Sequence, residues 1–233
     1  MDQIVFFWTG KNLFIPEYFV KSIIKNFCKK YKIIQVSDTK TNKIDGVDVY
    51  IKADLPADIM TARLKAYSLV ETKNKNTIFC DADSLMISEL YFDDFVEGYH
   101  LMKRKRNSLI NHLHPEYFPE FKNKYFMDLM PFLFGAIIIS KKENFFVHLY
   151  NICTNLPARF HRWYGDQISL HIFYLDNKSK FLFFDQDKYM HIIDKKNNNP
   201  KEDLQILLEK KIHFITFKGP KSKKQIIDYF SLL

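Results

Sequence analysis

Asp81 and Asp83 are spaced i, i+2 directly after the apolar run Ile78 to Cys80, and are the residues of this chain best placed to do chemistry. A short apolar run of this kind reads as a buried strand. Charged groups at its end sit where α/β sheets present their chemistry, at the carboxyl ends of strands. Two hard carboxylate ligands at this spacing suit Mg²⁺ or Mn²⁺, above all when a diphosphate supplies further oxygens. The competing reading is a surface turn in which Asp81 or Asp83 caps a following helix through Ser84.

Other clusters have chemistry of their own. Arg63 and Lys65 lie on the helix that precedes this strand. A guanidinium can fork onto a phosphate and an ammonium can neutralise one, although a solvated helix face is the plainer reading of Lys65. Thr9 with Gly10, at the end of the first apolar run, marks a contact to a nucleotide base or ribose; the alternative is a simple turn. Trp163, Tyr164, Gly165, Asp166 and Gln167 combine aromatic, amide and carboxylate groups, as sugar binding requires. Gly165 permits a tight approach, while an Asp166 that only caps a helix is the plainer alternative. Phe217, Lys218, Gly219 and Pro220, with Lys221, Lys223 and Lys224, could clamp a diphosphate leaving group by neutralising its developing charge. The run Lys103 to Arg106 suits nucleic acid or acidic head groups, but reads first as a solvated loop. His112 and His114 lack further metal ligands at a useful spacing and read as structural.

The elements that must position these groups follow from periodicity. Strands are predicted at Ile4 to Trp8, Ile33 to Val36, Val47 to Ile51 and Thr77 to Cys80. Helices are predicted from Pro16 to Lys30 and over 57–73. Strand and helix alternating in this way predict an α/β sheet. The second half is less regular. Residues 103–127 read as a long loop with short helices, and Asn197 to Pro200 as another loop. Strands are predicted at Leu133 to Ser140, Phe181 to Phe184 and Ile212 to Phe217; helices at Lys142 to Asn155, Asp166 to Tyr174 and 222–232. No linker separates independent units, so 1–233 is expected as one domain. Residues 1–100 would form the nucleotide-binding half, and 101–233 an acceptor-side half with a closing segment.

Composition narrows the partners. The chain has 233 residues, 47% of them hydrophobic, with 23 Phe and 13 Tyr, enough for a large aromatic core. It has only 6 Gly and contains neither a Rossmann nor a P-loop glycine motif. A net charge of +8 favours an anionic partner, a Lys-rich solvated surface being the plain alternative. Cys28, Cys80 and Cys153 are far apart and in apolar settings, which fits a reducing compartment rather than a disulfide or zinc framework. The N-terminal segment lacks a basic n-region, and no apolar stretch is long enough to span a bilayer. The expected location is cytoplasmic, with peripheral contact at an anionic inner membrane surface.

Taken in order along the chain, these clusters resemble a GT-A glycosyltransferase, in particular small bacterial or viral enzymes of the glycosyltransferase family 8 type. The resembling pieces are Phe7 to Gly10, Arg63 to Lys65, Asp81 to Asp83, Phe134 to Ala136, Trp163 to Gln167 and Phe217 to Gly219. The resemblance implies a Rossmann-like, mostly parallel sheet flanked by helices. It implies transfer of a sugar from a nucleotide-diphosphate sugar, UDP favoured, to a glycan, lipid-linked or protein acceptor, and leans toward retention. It further implies Mn²⁺ or Mg²⁺ bridging Asp83, with Asp81, to the phosphates, Arg63 on the donor, and Asp166 with Gln167 facing the sugar. One position departs from the pattern. Related enzymes carry a metal-binding His two residues before the Lys-Gly turn, and here Thr216 stands there. His213, three residues upstream, would face the other side of a strand.

Two other functions compete. A haloacid-dehalogenase-like phosphatase would use Asp81 as nucleophile and Asp83 as acid/base. That family expects its pair near the N-terminus and an acid four residues after its Gly-Asp, where this chain has Leu170. A basic nucleic-acid module lacks an RRM, KH or helix-turn-helix signature, so no nucleic-acid partner is expected.

Overall fold

The computed structural model describes residues 1–27, 30–91, 95–105, 107–110 and 117–233. Its first half runs β1 (Gln3–Phe7), α1 (Phe14–Phe27), β2 (Lys32–Ser37), β3 (Val49–Lys52), α2 (Ile59–Ser68), β4 (Asn76–Cys80) and β5 (Ser84–Met86). The second runs β6 (Gly98–Lys103), α3 (Phe126–Leu129), β7 (Phe132–Ser140), α4 (Phe145–Thr154), α5 (Ala158–Arg162), α6 (Gly165–Asp176) and β8 (Phe181–Asp185). It closes with α7 (Gln186–Tyr189), β9 (Met190–Ile193), α8 (Pro200–Glu209), β10 (Phe214–Phe217), α9 (Pro220–Lys223) and α10 (Ile226–Leu232).

The central sheet has the order β3-β2-β1-β4-β7-β6-β8. β1 pairs in parallel with β2 and with β4, as do β2 with β3 and β6 with β8; β7 runs antiparallel to β4 and β6. This is the expected α/β class with a mostly parallel sheet. Its strands are continuous apolar runs because both faces are covered. Val5, Phe7, Phe79, Ile137 and Ile139 face the core under α2, α4 and α6. Ile4, Phe6, Ile78, Cys80 and Ile138 face the core under α1. The period-two side-chain alternation sends neighbouring residues to opposite layers.

The chain leaves β1 toward β2 on one side and returns through α2 to β4 on the other. The order reverses between β1 and β4, and a ligand crevice lies at such a point, outside the carboxyl ends of the strands. Phe6 stands beside Cys80 in that pairing, so Trp8 and the Asp81–Asp83 segment leave their strands at the same end of the sheet.

A smaller sheet, β5-β10-β9, overturns the cap reading of Ser84. Ser84, Leu85 and Met86 are buried and pair antiparallel with Thr216, Ile215 and Phe214, so the chain after Asp83 is a strand rather than a helix. The phenylalanyl N–H of Phe217 also donates to the Asp83 carbonyl at 2.9 Å. The carboxylate pair is therefore held between two sheets. β6, β9 and α8 are further elements absent from the sequence reading. Arg106, His112, His114 and Cys28 lie outside the described residues. Among the described residues the free cysteines Cys80 and Cys153 are buried, and burial pushes both thiols above their ordinary range. No helix among the described residues is long and apolar enough to cross a membrane.

Three partly or fully buried histidines carry a pH prediction. Burial lowers the pKa of His100, His171 and His213, despite a hydrogen bond from each ring to a backbone carbonyl that works the other way. His100 shows this geometry at 2.7 Å from the Val96 oxygen. Since the folded values lie below the unfolded one, the unfolded chain takes up these protons first. Stability is then complete above about pH 6.5 and falls as pH drops through that value. The urea midpoint should therefore be lower at pH 5.5 than at pH 7.5, with a shallower dependence in His100→Gln. Equal midpoints at the two pH values would contradict this.

Candidate functional site

The crevice at the ends of β1 and β4 holds a cavity of about 530 Å³. Trp8 and Thr9 line it from β1; Met60, Arg63 and Tyr67 from α2; Asp81, Ala82 and Asp83 from the end of β4. Trp163, Tyr164 and Gln167 close it from the entry to α6, and Lys218 and Lys223 from the end of β10 and from α9. Five segments distant in sequence thus meet in one place.

Ion pairs organise this surface. Asp81 accepts from Arg63 Nη1 at 2.9 Å through Oδ1 and from Lys218 Nζ at 2.7 Å through Oδ2. Its backbone N–H donates to the Gly135 carbonyl at 3.0 Å, on the neighbouring strand β7. Asp83 faces Lys218 Nζ at 3.4 Å and the Thr216 hydroxyl at 3.5 Å through Oδ1, and Lys223 Nζ at 2.9 Å through Oδ2. Arg63 also pairs with Asp166, whose side chain is 0% exposed. The Arg63 guanidinium stacks over the Phe134 ring, 4.5 Å from its centroid, which fixes its plane. Three carboxylates and three cations therefore balance.

The balance shows in proton affinities. Burial opposes ionisation of Asp81, but Lys218 and Arg63 outweigh it and hold the carboxyl well below the usual range. Burial likewise works against the Lys218 charge, and Asp81 with Asp83 overcomes it, raising the ammonium above the ordinary lysine value. Both stay charged throughout the neutral range.

The sequence candidates divide between the cavity surface and its supports. Thr9, Arg63, Asp81, Asp83, Gln167 and Lys218 all line the cavity. Asp166 lies behind it, buried beneath Arg63, with Oδ1 accepting from the Gln167 N–H at 2.7 Å. Lys65 points elsewhere, its ammonium 5.4 Å from the centre of the Tyr150 ring on α4. Gly10 turns outward with φ 108° and donates its N–H to the Thr41 hydroxyl at 2.8 Å. Gly219, at φ 87°, lets the chain turn from β10 into α9, and that turn brings Lys223 to Asp83. Tyr164 also adopts a left-handed backbone, φ 67°, held by edge-on contacts of its ring with Phe118 and Phe121. His213 stays away from the cavity and packs on Tyr189, as its strand parity predicts.

Arg104 belongs to the basic run whose sequence suits nucleic acid or acidic head groups, or a solvated loop. It is a supporting residue: Nη2 donates to Gln167 Oε1 at 2.8 Å, Nε donates to the Met130 carbonyl at 3.0 Å, and the guanidinium lies over Phe126. The sequence signal was there in the surrounding aromatics, but no local pattern distinguishes Arg104 from its three cationic neighbours. Tyr67, whose hydroxyl donates to the Cys80 carbonyl at 3.1 Å, was read only as an apolar helix position.

The expected Mn²⁺ or Mg²⁺ can be tested against this donor set. Such ions take several oxygen ligands in a regular shell. Here the two carboxylates are engaged by tethered cations, Thr216 replaces the imidazole, and among the described residues no group of three or more His, Cys, Asp or Glu side chains could hold a metal ion. The residues present do not fit a divalent ion held by the protein.

Comparison with known proteins places the fold. No family model matches the sequence, and no curated protein matches it significantly. Among solved structures, a glycosyltransferase involved in glycosylation of the major capsid of PBCV-1 aligns with a TM-score of 0.57 at 10% identity, covering 99% of this chain and 100% of that one. The bifunctional glycosyltransferase WbbM, in its apo structure, aligns with a TM-score of 0.57 at 13% identity, covering 99% of this chain; the chain spans 49% of WbbM. The fold is thus GT-A-like over nearly the whole length, as the motif resemblance implied.

Proposed function

We propose that the protein transfers a sugar from a nucleotide-diphosphate sugar, UDP favoured, to a glycan, lipid-linked or protein acceptor. The observation that carries this reading is the convergence of Arg63, Lys218 and Lys223 on one cavity at the β1–β4 reversal of a GT-A-like fold. The base and ribose would lie toward Trp8 and Thr9, the diphosphate against the three cations, and the sugar toward Gln167 and Trp163. Asp166 acts from behind as a positioning residue that fixes Arg63 and the Gln167 backbone.

A second cavity of about 840 Å³, lined by Arg104, Lys105, Phe126, His191 and Lys210 among others, suits the acceptor. The Arg104–Gln167 hydrogen bond joins the two cavities, since Gln167 lines the first and Arg104 the second. Arg104, Lys105 and Lys210 line this second cavity together with Asp187 and Asp194, and Lys105 pairs with Asp187, so the lining is nearly balanced. An anionic acceptor and contact with an anionic membrane surface are part of this proposal on the chain's net charge of +8. In transfer, the bond from sugar C1 to the diphosphate oxygen breaks and its electron pair leaves with the phosphate. The acceptor hydroxyl oxygen bonds to C1, and its proton passes to the departing diphosphate. Lys218 and Lys223 neutralise the charge that builds there. No step passes through a metal.

The phosphatase reading is disfavoured by Asp81 itself. A nucleophilic carboxylate needs an oxygen open for attack on phosphorus, and both Asp81 oxygens are in ion pairs. Titration with UDP, GDP and CDP by calorimetry tests the proposal. Micromolar-range binding of one of them is expected. No binding by any of them, with or without Mn²⁺, would refute it, and phosphate release from a generic phosphomonoester would then favour the phosphatase.

A further inference from the structure

The Lys218 ammonium stands where a shared divalent ion would be expected. It lies 2.7 Å from Asp81 Oδ2 and 3.4 Å from Asp83 Oδ1, so one positive centre spans both carboxylates. The side chain is 42% exposed, so the ammonium faces the cavity rather than being sealed in. An ammonium has three N–H donors; two directed at the carboxylates leave one for a phosphate oxygen. Lys223 stands on the far side of Asp83, at 2.9 Å from Oδ2, and adds a second cation along the same edge.

Position in the strand supports the substitution. Residues 216 and 218 share a face of β10 and its extension, by the period-two rule. Thr216, where an imidazole would complete a metal shell, reaches Asp83 at only 3.5 Å, whereas Lys218, two residues on, reaches both carboxylates. A tethered cation is also present at high effective concentration. A free divalent ion would have to displace it from both carboxylates.

Resting on the nucleotide-sugar reading above, we propose that Lys218 is this site's bridging cation, and that the nucleoside diphosphate is bound and its leaving charge neutralised without a divalent metal. Asp81 and Asp83 then serve to hold and orient ammonium groups rather than to ligate an ion.

Calorimetric titration of the full chain with UDP, GDP and CDP, each in EDTA and in excess MnCl₂, decides the matter. Affinity for the preferred nucleotide is expected to agree within about threefold between the two buffers. Lys218→Gln should lose on the order of ten- to a hundredfold in EDTA, as expected for losing a charge-assisted hydrogen bond, and Mn²⁺ should restore part of that loss. Thermal melts check that the variant is folded, and the wild-type comparison of buffers stands without it. Wild-type binding that appears only with Mn²⁺ overturns this proposal alone, as does a folded Lys218→Gln that binds at full affinity in EDTA. No binding of any of the three nucleotides in either buffer overturns the nucleotide-sugar reading and this proposal with it.

Discussion

Replacing Arg63 by Ala is expected to cost about 3–5 kcal/mol of folding stability, the range for removing one partner of a buried ion pair. Arg63 is the cation paired with Asp166, a carboxylate with no exposed surface. Without it, a charge is left where water cannot reach it, or the carboxyl must take up a proton. Asp81 loses one of its two cations in the same step, and the Phe134 ring loses the group that covers it. For a chain of this size the loss corresponds to a fall in melting temperature of about 2–4 °C per kcal/mol. A double change separates charge from packing. Arg63→Met with Asp166→Asn should be more stable than Arg63→Met alone, because the stranded charge goes with its partner. Urea denaturation of the three variants measures this. A single variant within about 1 kcal/mol of wild type, or a double variant no better than the single, would show that Asp166 does not depend on Arg63.

The same ion pairs explain which parts of the site could be read from the chain and which could not. Asp81 and Asp83 were legible because an apolar strand ended in two charges, a local pattern. Lys218 was legible as a cation beside a Gly turn, but its partner was not, since 135 residues separate it from Asp83. Asp166 has a local signature that fits both a helix start and a sugar contact; only the packing of α2 against α6 places Arg63 over it. Lys65, two residues from Arg63, reads from sequence as the weaker phosphate candidate of the two, and the direction of its side chain on the helix sends it to Tyr150 instead. The fold shows the same division. Long apolar runs such as Phe132–Ser140 announce themselves, whereas β5 and β9 are three and four residues long and exist through their pairing with β10. Short strands of this kind carry too few positions for a period to emerge.

A site in which charges offset one another so closely depends on geometry more than on the number of charged groups. Opposed cations and carboxylates attract a diphosphate only if the carboxylates are occupied by the cations, which keep a free N–H toward the cavity; Asp81 and Asp83 line it in ion pairs, and Asp166 stands behind it. That orientation is set by backbone: the β10–β5 pairing holds Asp83 against Lys218, the turn at Gly219 delivers Lys223, and the start of α6 puts Asp166 under Arg63. Of these, the start of α6 has the least room to adjust.

Gly165→Ala should therefore damage both stability and donor binding. A Cβ at this position would lie 2.3 Å from the Phe160 carbonyl oxygen and 2.8 Å from Cys153 Sγ. The first of these is backbone in the middle of α5 and cannot rotate away, so α6 must move. Overpacking of this kind costs about 1–3 kcal/mol or more. The displacement falls on the next two residues, Asp166 and Gln167, and so reaches Arg63 through one and Arg104 through the other. Nucleotide affinity should drop along with stability, although Gly165 itself does not line the cavity. Gly135→Ala provides the contrast. Its Cβ would meet Asp81 Oδ2 and Met190 Cε at 3.4 Å, close to ordinary contact distance, although it lies nearer to the reacting groups. If stability followed distance from the carboxylate pair, Gly135→Ala would be the worse variant. Backbone collision predicts the opposite order, and urea midpoints of the two proteins, with nucleotide titrations beside them, decide between these explanations.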